Sequence, residues 1–329
     1  MNYGYIGLGH LGGHLAASLL RAGFAVGVHD LDSSLAKRHL ALGGVWADSP
    51  RALAERCDAV FTCLPSSQIS GKVLDGVLDG LKSGGTWIEM STLGRDDVLA
   101  LAARAAARGV RTLECPVTGG VHRAASGKIT VLAGGDADLF ALHRPALEAM
   151  GGEIFHMGAL GSAAVIKVIT NMLAFIHLIA DGEALMLAKR GGLDLGQAFH
   201  AIRASSGNSF VHETEGQLVL NGSYDIGFTM DLAVKDLGFA MGFGREFGVP
   251  LDLAGQAYQT FILGRERYGG AAWSTKIVKL LEDALKTDLR APGFPEKLAE
   301  EIEEQKIGKS VTPIAHKVSS RSKEKENGG

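Results

Sequence analysis

Residues 163–189 read AAVIKVITNMLAFIHLIADGEALMLAK, and this stretch predicts one long helix around which the chain is organised. It follows a glycine-rich segment and ends before Gly191, and both are usual helix boundaries. Because nearly every face of the helix is apolar, we expect it to be buried rather than amphipathic. Lys167 and Asn171 lie four residues apart and therefore share one face. An amine and an amide buried side by side require an explanation.

Two explanations of this pair are open from the segment alone. In the first, Lys167 extends into water and Asn171 satisfies a nearby backbone group. In the second, the pair belongs to an active site, because desolvation lowers the pKa of a lysine toward the range useful for proton transfer. The run is also long enough to span a membrane, for which about 20 apolar residues suffice. Polar residues interrupt it too often for a membrane span, so we expect the helix to be buried between two domains. The interrupting residues are Lys167, Asn171, His177, Asp181 and Glu183.

The composition is that of a globular protein with an ample core. With 329 residues, two domains are expected. Hydrophobic residues make up 46% and charged residues 21%, and the net charge of −3 indicates neither a nucleic-acid nor a membrane partner. The expected partners are a small molecule and a second copy of the chain. The three cysteines form no CxxC pair, so no disulfide framework or metal site is predicted, and a cytoplasmic location fits.

In the first half, short apolar strands alternate with helical stretches, which is typical of a parallel sheet built from βαβ units. The predicted strands cover residues 3–6, 25–29, 59–63, 86–89, 111–114 and 129–133. The predicted helices include residues 11–22, 50–56 and 96–108. The fold class expected for residues 1–160 is therefore α/β, a Rossmann-type doubly wound parallel sheet.

The loop GLGHLG follows the first strand and opens the first helix, so that Gly7, Gly9 and Gly12 have GxGxxG spacing. The motif alone is weak in a chain with 45 glycines, but its position after a strand and before a helix predicts a dinucleotide site. Asp30 ends the second strand, where an acidic residue binds the adenosine ribose. A carboxylate there favours NAD over NADP, although residues 37–38 are basic and Asp30 is alternatively a simple turn residue.

Three more segments follow predicted strands: residues 64–67, 91–92 and 116–120. Ligands of open α/β sheets bind outside the carboxyl ends of the strands, so these segments are expected to gather near Gly9. Their small hydroxyl and glycine residues would let a nicotinamide and a small anion approach backbone N–H groups. Each segment taken singly is more often an ordinary turn.

Taken together, four stretches resemble the β-hydroxyacid dehydrogenase family, which includes 3-hydroxyisobutyrate dehydrogenase and tartronate semialdehyde reductase and lies within the 6-phosphogluconate dehydrogenase-like superfamily. They are GLGHLGGHLAASLLRAG (7–23), ECPVTGGVHRAASGKITVLAGG (114–135), GSAAVIKVITN (161–171) and FTMDLAVKDL (228–237). Four motifs in the family's order are a specific resemblance.

The resemblance implies that Lys167 is the catalytic acid/base and that Asn171 positions the substrate beside it. It implies that Thr118, Gly119 and Gly120 hold the acid group of the substrate. It also implies a cofactor site made of Gly7, Leu8, Gly9, His10, Leu11, Gly12, Asp30, Leu64, Pro65, Thr92 and Lys235. On sequence alone, Lys235 and the adjacent acid would be read as a solvated helix face.

The chain departs from the family pattern at several positions. Thr118 stands where serine is common, which keeps the hydroxyl but adds a methyl group. Glu89 and Glu114 stand where aspartate is frequent, and we expect these two replacements to have little functional effect. His122 and Arg123 fall where small residues are common and are candidate substrate-binding residues that would change which acid or side group is accepted. The alternative that both face solvent stays open.

The second half is expected to be an all-helical substrate and oligomerisation domain, residues 161–295, with helices at 195–204, 230–247, 251–267 and 275–285. Its large apolar helices suggest a homo-oligomer, a dimer or a tetramer. Residues 296–329 are charged, poor in apolar residues and expected to form a mobile tail.

The sequence therefore predicts an NAD(P)-dependent oxidoreductase that interconverts a small β-hydroxy acid and its semialdehyde or keto form, as 3-hydroxyisobutyrate dehydrogenase does. Alternatives within the family are tartronate semialdehyde reduction, oxidation of a β-hydroxy amino acid, and turnover of a sulfonate or phosphonate acid. Imine reductases share the architecture but usually lack the lysine. A non-catalytic dinucleotide sensor is the alternative from another class, and it would not need Lys167.

Overall fold

The computed structural model describes residues 1–299. Six parallel strands form the main sheet in the order β3-β2-β1-β4-β5-β6, which is the doubly wound order of dinucleotide-binding folds. The strands are β1 (Asn2–Ile6), β2 (Ala25–His29), β3 (Val45–Trp46), β4 (Ala59–Thr62), β5 (Thr86–Glu89) and β6 (Arg111–Glu114). The predicted fold class is confirmed. Strand β3 was not predicted, because two residues are too few to show a strand pattern.

Helices cover both faces of this sheet and bury two separate apolar cores. One core includes Tyr5, Leu15 and Phe61, and the other includes Leu74 and Trp87. Because both faces are covered, the central strands β4 and β5 are buried along their whole length. The helices are α1 (Gly12–Arg21), α2 (Lys37–Ala41), α3 (Pro50–Ala54), α4 (Ser67–Gly80) and α5 (Arg95–Ala107), with a 3₁₀ turn at Ser33–Ala36.

A second, three-stranded sheet follows the first. It consists of β7 (Val117–Thr118), β8 (Ile129–Ala133) and β9 (Gly151–His156), with α6 (Gly120–Ala125) and α7 (Ala137–Met150) between them. The strand predicted at 129–133 is confirmed, but β8 pairs antiparallel with β7 and parallel with β9 instead of extending the main sheet. The chain changes sheets at Pro116, a residue that has no backbone N–H to continue the β6 ladder.

The long helix α8 runs over Ser162–Arg190, one residue longer at each end than predicted. It packs against the helices that follow it as well as against α5, so it lies between the sheet and those later helices. The expectation that it would be buried rather than amphipathic holds for one face only: Ile169, Leu173 and Leu187 are exposed, Leu187 to 75%. By length and composition alone the helix could cross a membrane, a test that core helices of soluble proteins also pass.

The remaining described chain is helical and packs around α8. A core that includes Phe175, Leu185, Leu237 and Phe261 joins these helices. They are α9 (Leu195–Arg203), α10 (Phe210–Glu213), α11 (Glu215–Asn221), α12 (Met230–Phe247), α13 (Asp252–Tyr268) and α14 (Lys279–Leu285), with a 3₁₀ turn at Ser274–Val278. The short helices α10 and α11 were not predicted. From residue 300 onward, the predicted tail lies outside the described residues.

Candidate active site

One cavity of about 680 Å³ lies where the carboxyl edge of the main sheet meets α8 and α12. It brings together most residues that the sequence assigned to cofactor and substrate. Those that line it are Gly9, His10, Leu11, Gly12, Leu64, Pro65, Thr92, Thr118, Gly119, Gly120, His122, Arg123, Lys167, Asn171 and Lys235. Three assigned residues do not line it: Gly7 and Leu8, which begin the glycine loop, and Asp30, whose carboxylate accepts the Leu8 N–H.

The glycine loop fits a dinucleotide. A Cβ atom on Gly12 would collide with the Gly7 carbonyl oxygen, so this glycine allows the loop to pack tightly at the start of α1. A Cβ atom on Gly9 would meet nothing within 4 Å, so this position is open toward the cavity. The loop thus leaves room for a ligand at Gly9 while holding the helix N-terminus toward it, as pyrophosphate binding requires.

Asp30 holds the back of the same loop. Its carboxylate accepts the backbone N–H of Leu8 at 2.6 Å and that of Asp32 at 3.0 Å. This places a negative charge at the end of β2, beside the glycine turn. Arg38 lies against Gly13 at the start of α1, so a positive charge is also close to the loop.

Hydrogen bonds from buried polar groups shape the sheet edge next to the glycine loop. Glu89, at the end of β5, accepts the hydroxyl of Thr62 at 3.0 Å and the N–H of Ser91 at 2.7 Å. The hydroxyl of Ser91 in turn accepts the N–H of Leu64 at 2.7 Å. The loops after β4 and β5 are therefore fixed to one another. Sequence analysis expected the segment with Ser91 at this edge but did not assign Glu89 to the site.

A chain of charged and amide groups crosses the cavity wall. Lys167 Nζ donates to Asn171 Oδ1 at 2.7 Å, and Asn171 Nδ2 donates to Asp236 Oδ2 at 2.6 Å. Lys235 Nζ donates to Asp236 Oδ1 at 2.6 Å and to the carbonyl oxygen of Thr92 at 2.8 Å. Asp236 is only 1% exposed. The acid that the sequence alone would place on a solvated face thus connects α8, α12 and the loop after β5.

This network sets the protonation of Lys167, whose side chain is buried. Burial lowers the pKa of Lys167 to about 8, partly opposed by the negative charge of Asp236 and assisted by the positive charge of Lys235. An amine with this pKa is present in both protonation states near neutral pH. Lys167 can therefore accept or donate a proton, and of the two explanations of the Lys167 and Asn171 pair the geometry favours the active site.

The turn assigned to the acid group of the substrate joins β7 to α6. Gly119 and Gly120 both have positive φ angles, +119° and +86°, which side chains with a Cβ rarely adopt. Next to this turn, the His122 ring stacks on Phe210 at 6.2 Å between centroids, and the Arg123 guanidinium lies 5.7 Å from the same ring. His122 and Arg123 therefore form part of the cavity wall, together with a residue from the helical half.

Glu114, at the end of β6, holds the start of α8. Its buried carboxylate accepts the N–H groups of Gly161 at 2.6 Å, Ala163 at 3.0 Å and Ala164 at 3.1 Å, at the start of α8. These are N–H groups that a helix leaves without an internal partner. Glu114 thus anchors the end of α8 that carries Lys167.

We expect Glu114→Ala to lower the free energy of unfolding by about 2 kcal/mol, because three buried N–H groups lose a charged acceptor. Urea unfolding measures this change. Glu153→Ala, which removes an exposed carboxylate from β9, is the control and should change the free energy by less than about 0.5 kcal/mol. Equal unfolding midpoints for both variants would show that the contact is not stabilising.

The far end of the cavity contains residues that sequence analysis missed. Asn208, Phe210 and Glu215 line it, and a buried pair lies behind them, with His212 Nδ1 and Asp181 Oδ1 2.5 Å apart. Burial raises the pKa of Glu215 to about 7, to which the nearby charge of Asp181 contributes. The sequence contained one signal for this part of the cavity: Asp181 lies on the same face of the long helix as Lys167.

Comparison with known proteins identifies both halves of the chain. Residues 2–158 match the family described as the NAD binding domain of 6-phosphogluconate dehydrogenase. Residues 161–281 match the family described as NAD-binding of NADP-dependent 3-hydroxyisobutyrate dehydrogenase.

Individual relatives agree with these matches. An L-threonate dehydrogenase from Cupriavidus necator is 35% identical over 85% of this chain and 95% of its own length. An NAD-dependent L-serine dehydrogenase from Pseudomonas aeruginosa is 36% identical over 72% and 83%. The crystal structure of a 3-hydroxyisobutyrate dehydrogenase from Salmonella typhimurium, 31% identical, covers 85% of this chain and 99% of its own with a TM-score of 0.79. The chain belongs to the β-hydroxyacid dehydrogenase family and is an NAD(P)-dependent oxidoreductase.

Proposed function

We propose that this protein oxidises a small β-hydroxy acid to its semialdehyde or keto acid, or catalyses the reverse reduction, with NAD as the preferred cofactor and Lys167 as general acid/base. One observation carries the proposal: Lys167 is buried, has a lowered pKa and shares a cavity with the open glycine loop. The relatives that oxidise L-threonate and L-serine support this substrate class.

In the proposed oxidation, the neutral Nζ of Lys167 accepts the hydroxyl proton of the substrate while the C–H bond of the carbinol carbon breaks. A bound nicotinamide supplies the hydride acceptor. Asn171 holds the amine in place through its Oδ1, and the turn at Thr118, Gly119 and Gly120 offers a hydroxyl and backbone N–H groups to the acid group. Reduction uses the protonated lysine as the donor.

The rate of oxidation should depend on pH with an inflection near the pKa of Lys167. Because the neutral amine is the base, kcat/KM for oxidation should rise with pH and level off above about 8, and kcat/KM for reduction should fall over the same range. Initial rates in both directions between about pH 6 and pH 10 measure this. Oxidation that is fastest on the acidic side would contradict the assigned role.

The preference for NAD follows from the carboxylate of Asp30 at the end of β2, which would repel a 2′-phosphate. We expect kcat/KM with NAD to exceed that with NADP by at least about tenfold, the ratio for 1.4 kcal/mol. Asp30→Asn keeps an oxygen for the Leu8 N–H but removes the charge, so the preference should shrink about tenfold.

Asp58→Asn, at the opposite edge of the sheet, is the matched control and should leave the cofactor preference unchanged. An Asp30→Asn variant that keeps the wild-type preference would show that the charge of Asp30 does not set cofactor choice.

Initial rates with a panel of hydroxy acids test the proposed function: 3-hydroxyisobutyrate, glycerate, threonate, serine, and sulfonate or phosphonate analogues, each with NAD and NADP. Turnover of at least one acid, lost in Lys167→Met, is expected. Turnover only of a sulfonate or phosphonate would assign the choice of acid group to His122 and Arg123. Cofactor binding without turnover of any acid, or of the matching aldehydes and ketones, would favour a dinucleotide sensor.

The exposed apolar residues of α8 support a homo-oligomer, since a single chain leaves Ile169 and Leu187 in water outside the cavity. Light scattering on the purified protein measures the number of subunits. A cytoplasmic location stays a prediction from the sequence.

A further inference from the structure

The cavity extends beyond the groups that the proposed reaction uses. Along α8 it is lined from Lys167 to Leu178, roughly 16 Å of helix at 1.5 Å per residue. Its end farthest from Lys167, which we call the distal pocket, is lined by His177, Leu178, Asn208, Phe210 and Glu215. A substrate held at Lys167 by its carbinol group can place a side group along α8 into this pocket.

Glu215 brings a carboxylate to the distal pocket without a cation to balance it. The hydroxyl of Thr214 donates to its Oε2. Among residues 1–299, no lysine, arginine or histidine forms an ion pair with this carboxylate, and the nearby Asp181 is itself paired with His212. Its other oxygen, Oε1, accepts no hydrogen bond from another residue of the described chain, and since Glu215 lines the cavity, a ligand can bring a donor to it.

We propose that Glu215 is a specificity-determining residue, which accepts a hydrogen bond from a hydroxyl or ammonium group on the substrate's side group. The proposal rests on the proposed function, because it concerns the far end of the same substrate. It narrows the substrate class to hydroxy acids whose side group carries a hydrogen-bond donor. Alkyl side groups leave this acceptor unsatisfied, and a second carboxylate in the side group is repelled by Glu215.

A series of 3-hydroxypropanoates substituted at C2 tests this inference. The side groups have matched lengths from one to about ten heavy atoms, because the cavity follows α8 for roughly 16 Å, and they end in methyl, hydroxyl, ammonium or carboxylate. For the wild-type protein, kcat/KM should be at least about tenfold higher for a hydroxyl or ammonium end than for methyl at the best length. At about pH 8.5, where Glu215 with its pKa of about 7 is ionised, the carboxylate end should give the lowest value of the series.

Two substitutions separate charge from hydrogen bonding at Glu215. Glu215→Gln keeps an acceptor but removes the charge, so the preference for ammonium over methyl should fall about tenfold while part of the hydroxyl preference remains. Glu215→Leu removes both and should abolish both preferences. Glu183→Gln, which changes an exposed carboxylate on α8, is the control and should keep the wild-type ratios.

Unchanged ratios in Glu215→Leu, with turnover retained, would overturn the inference and leave the proposed function intact. If that variant does not fold, Glu215→Gln provides the ratio of ammonium to methyl substrates, and a wild-type ratio in Glu215→Gln would overturn the inference equally. Wild-type protein that turns over no member of the series or of the hydroxy acid panel would contradict the proposed function itself, and with it this inference.

Discussion

Lys167→Met is expected to lower kcat for hydroxy acid oxidation by about 10³-fold, within the 10²- to 10⁴-fold range of general acid/base catalysis. Methionine keeps most of the apolar stem within the buried face of α8 but cannot exchange a proton. Asn171 loses the donor to its Oδ1 and keeps its bond to Asp236, so the local structure should persist. Steady-state rates measure the loss.

The dissociation constant for the cofactor distinguishes a catalytic role from a structural one. The glycine loop lies at the start of α1, and the hydrogen bond of Lys167 goes to Asn171 instead. The dissociation constant for NADH, measured by fluorescence, should therefore change less than about threefold. Lys82→Met, at an exposed lysine, controls for the loss of one positive charge and should keep full activity. Full turnover by Lys167→Met would exclude the lysine as the acid/base.

Asp236→Ala is expected to have the largest effect on stability, a loss of about 3 kcal/mol in the free energy of unfolding. The carboxylate is buried and bonds to Asn171 and Lys235, so its removal leaves an amide and an ammonium group without their acceptor. Urea unfolding measures the loss. Asp231→Ala, at an exposed acid in the first turn of the same helix, should cost less than about 1 kcal/mol.

The same variant should also change the chemistry. Without the negative charge of Asp236, the pKa of Lys167 should fall further below about 8, so the rise of oxidation with pH should move to lower pH. Since Asn171 loses its fixed orientation, kcat/KM should fall by up to about 100-fold. A pH profile that does not move would show that Asp236 supports the fold without influencing the lysine.

The sequence predicted the parts of the fold that have a strong local pattern. Five apolar strands of the main sheet, the glycine turn and the long helix α8 each appear as a periodic or apolar run with clear boundaries. Strands β3 and β7 have two residues each, and β9 begins with two glycines, so no local pattern marked them. Helices α10 and α11 are too short to show a helical period.

The residues of the candidate site that belong to sequence motifs were predicted. The residues that reach the site only through tertiary packing were not. Lys167 and Asn171 stood out because polar residues in an apolar helix are unusual. The burial of Asp236 could not be predicted, because its partner Asn171 lies 65 residues away in the sequence and its neighbour Lys235 suggests a solvated face. Glu215 joins the cavity through the packing of α11 near α8, which no local pattern contains.

The exposed face of α8 shows a further limit of composition. Apolar residues on every side predicted complete burial, but burial depends on which neighbours are present, and a single chain provides them for only part of the helix. The apolar composition therefore indicated that this side of α8 is buried against another surface, but it did not indicate which surface that is.

Chemical rescue of Lys167→Ala by small primary amines tests the central claim most directly. The substitution opens a space the size of the lysine side chain next to Asn171. If Lys167 is the acid/base, added methylamine and ethylamine analogues should restore oxidation, and the restored rate should follow the pKa of the amine. Turnover of Lys167→Ala at the wild-type rate without any amine would contradict the account.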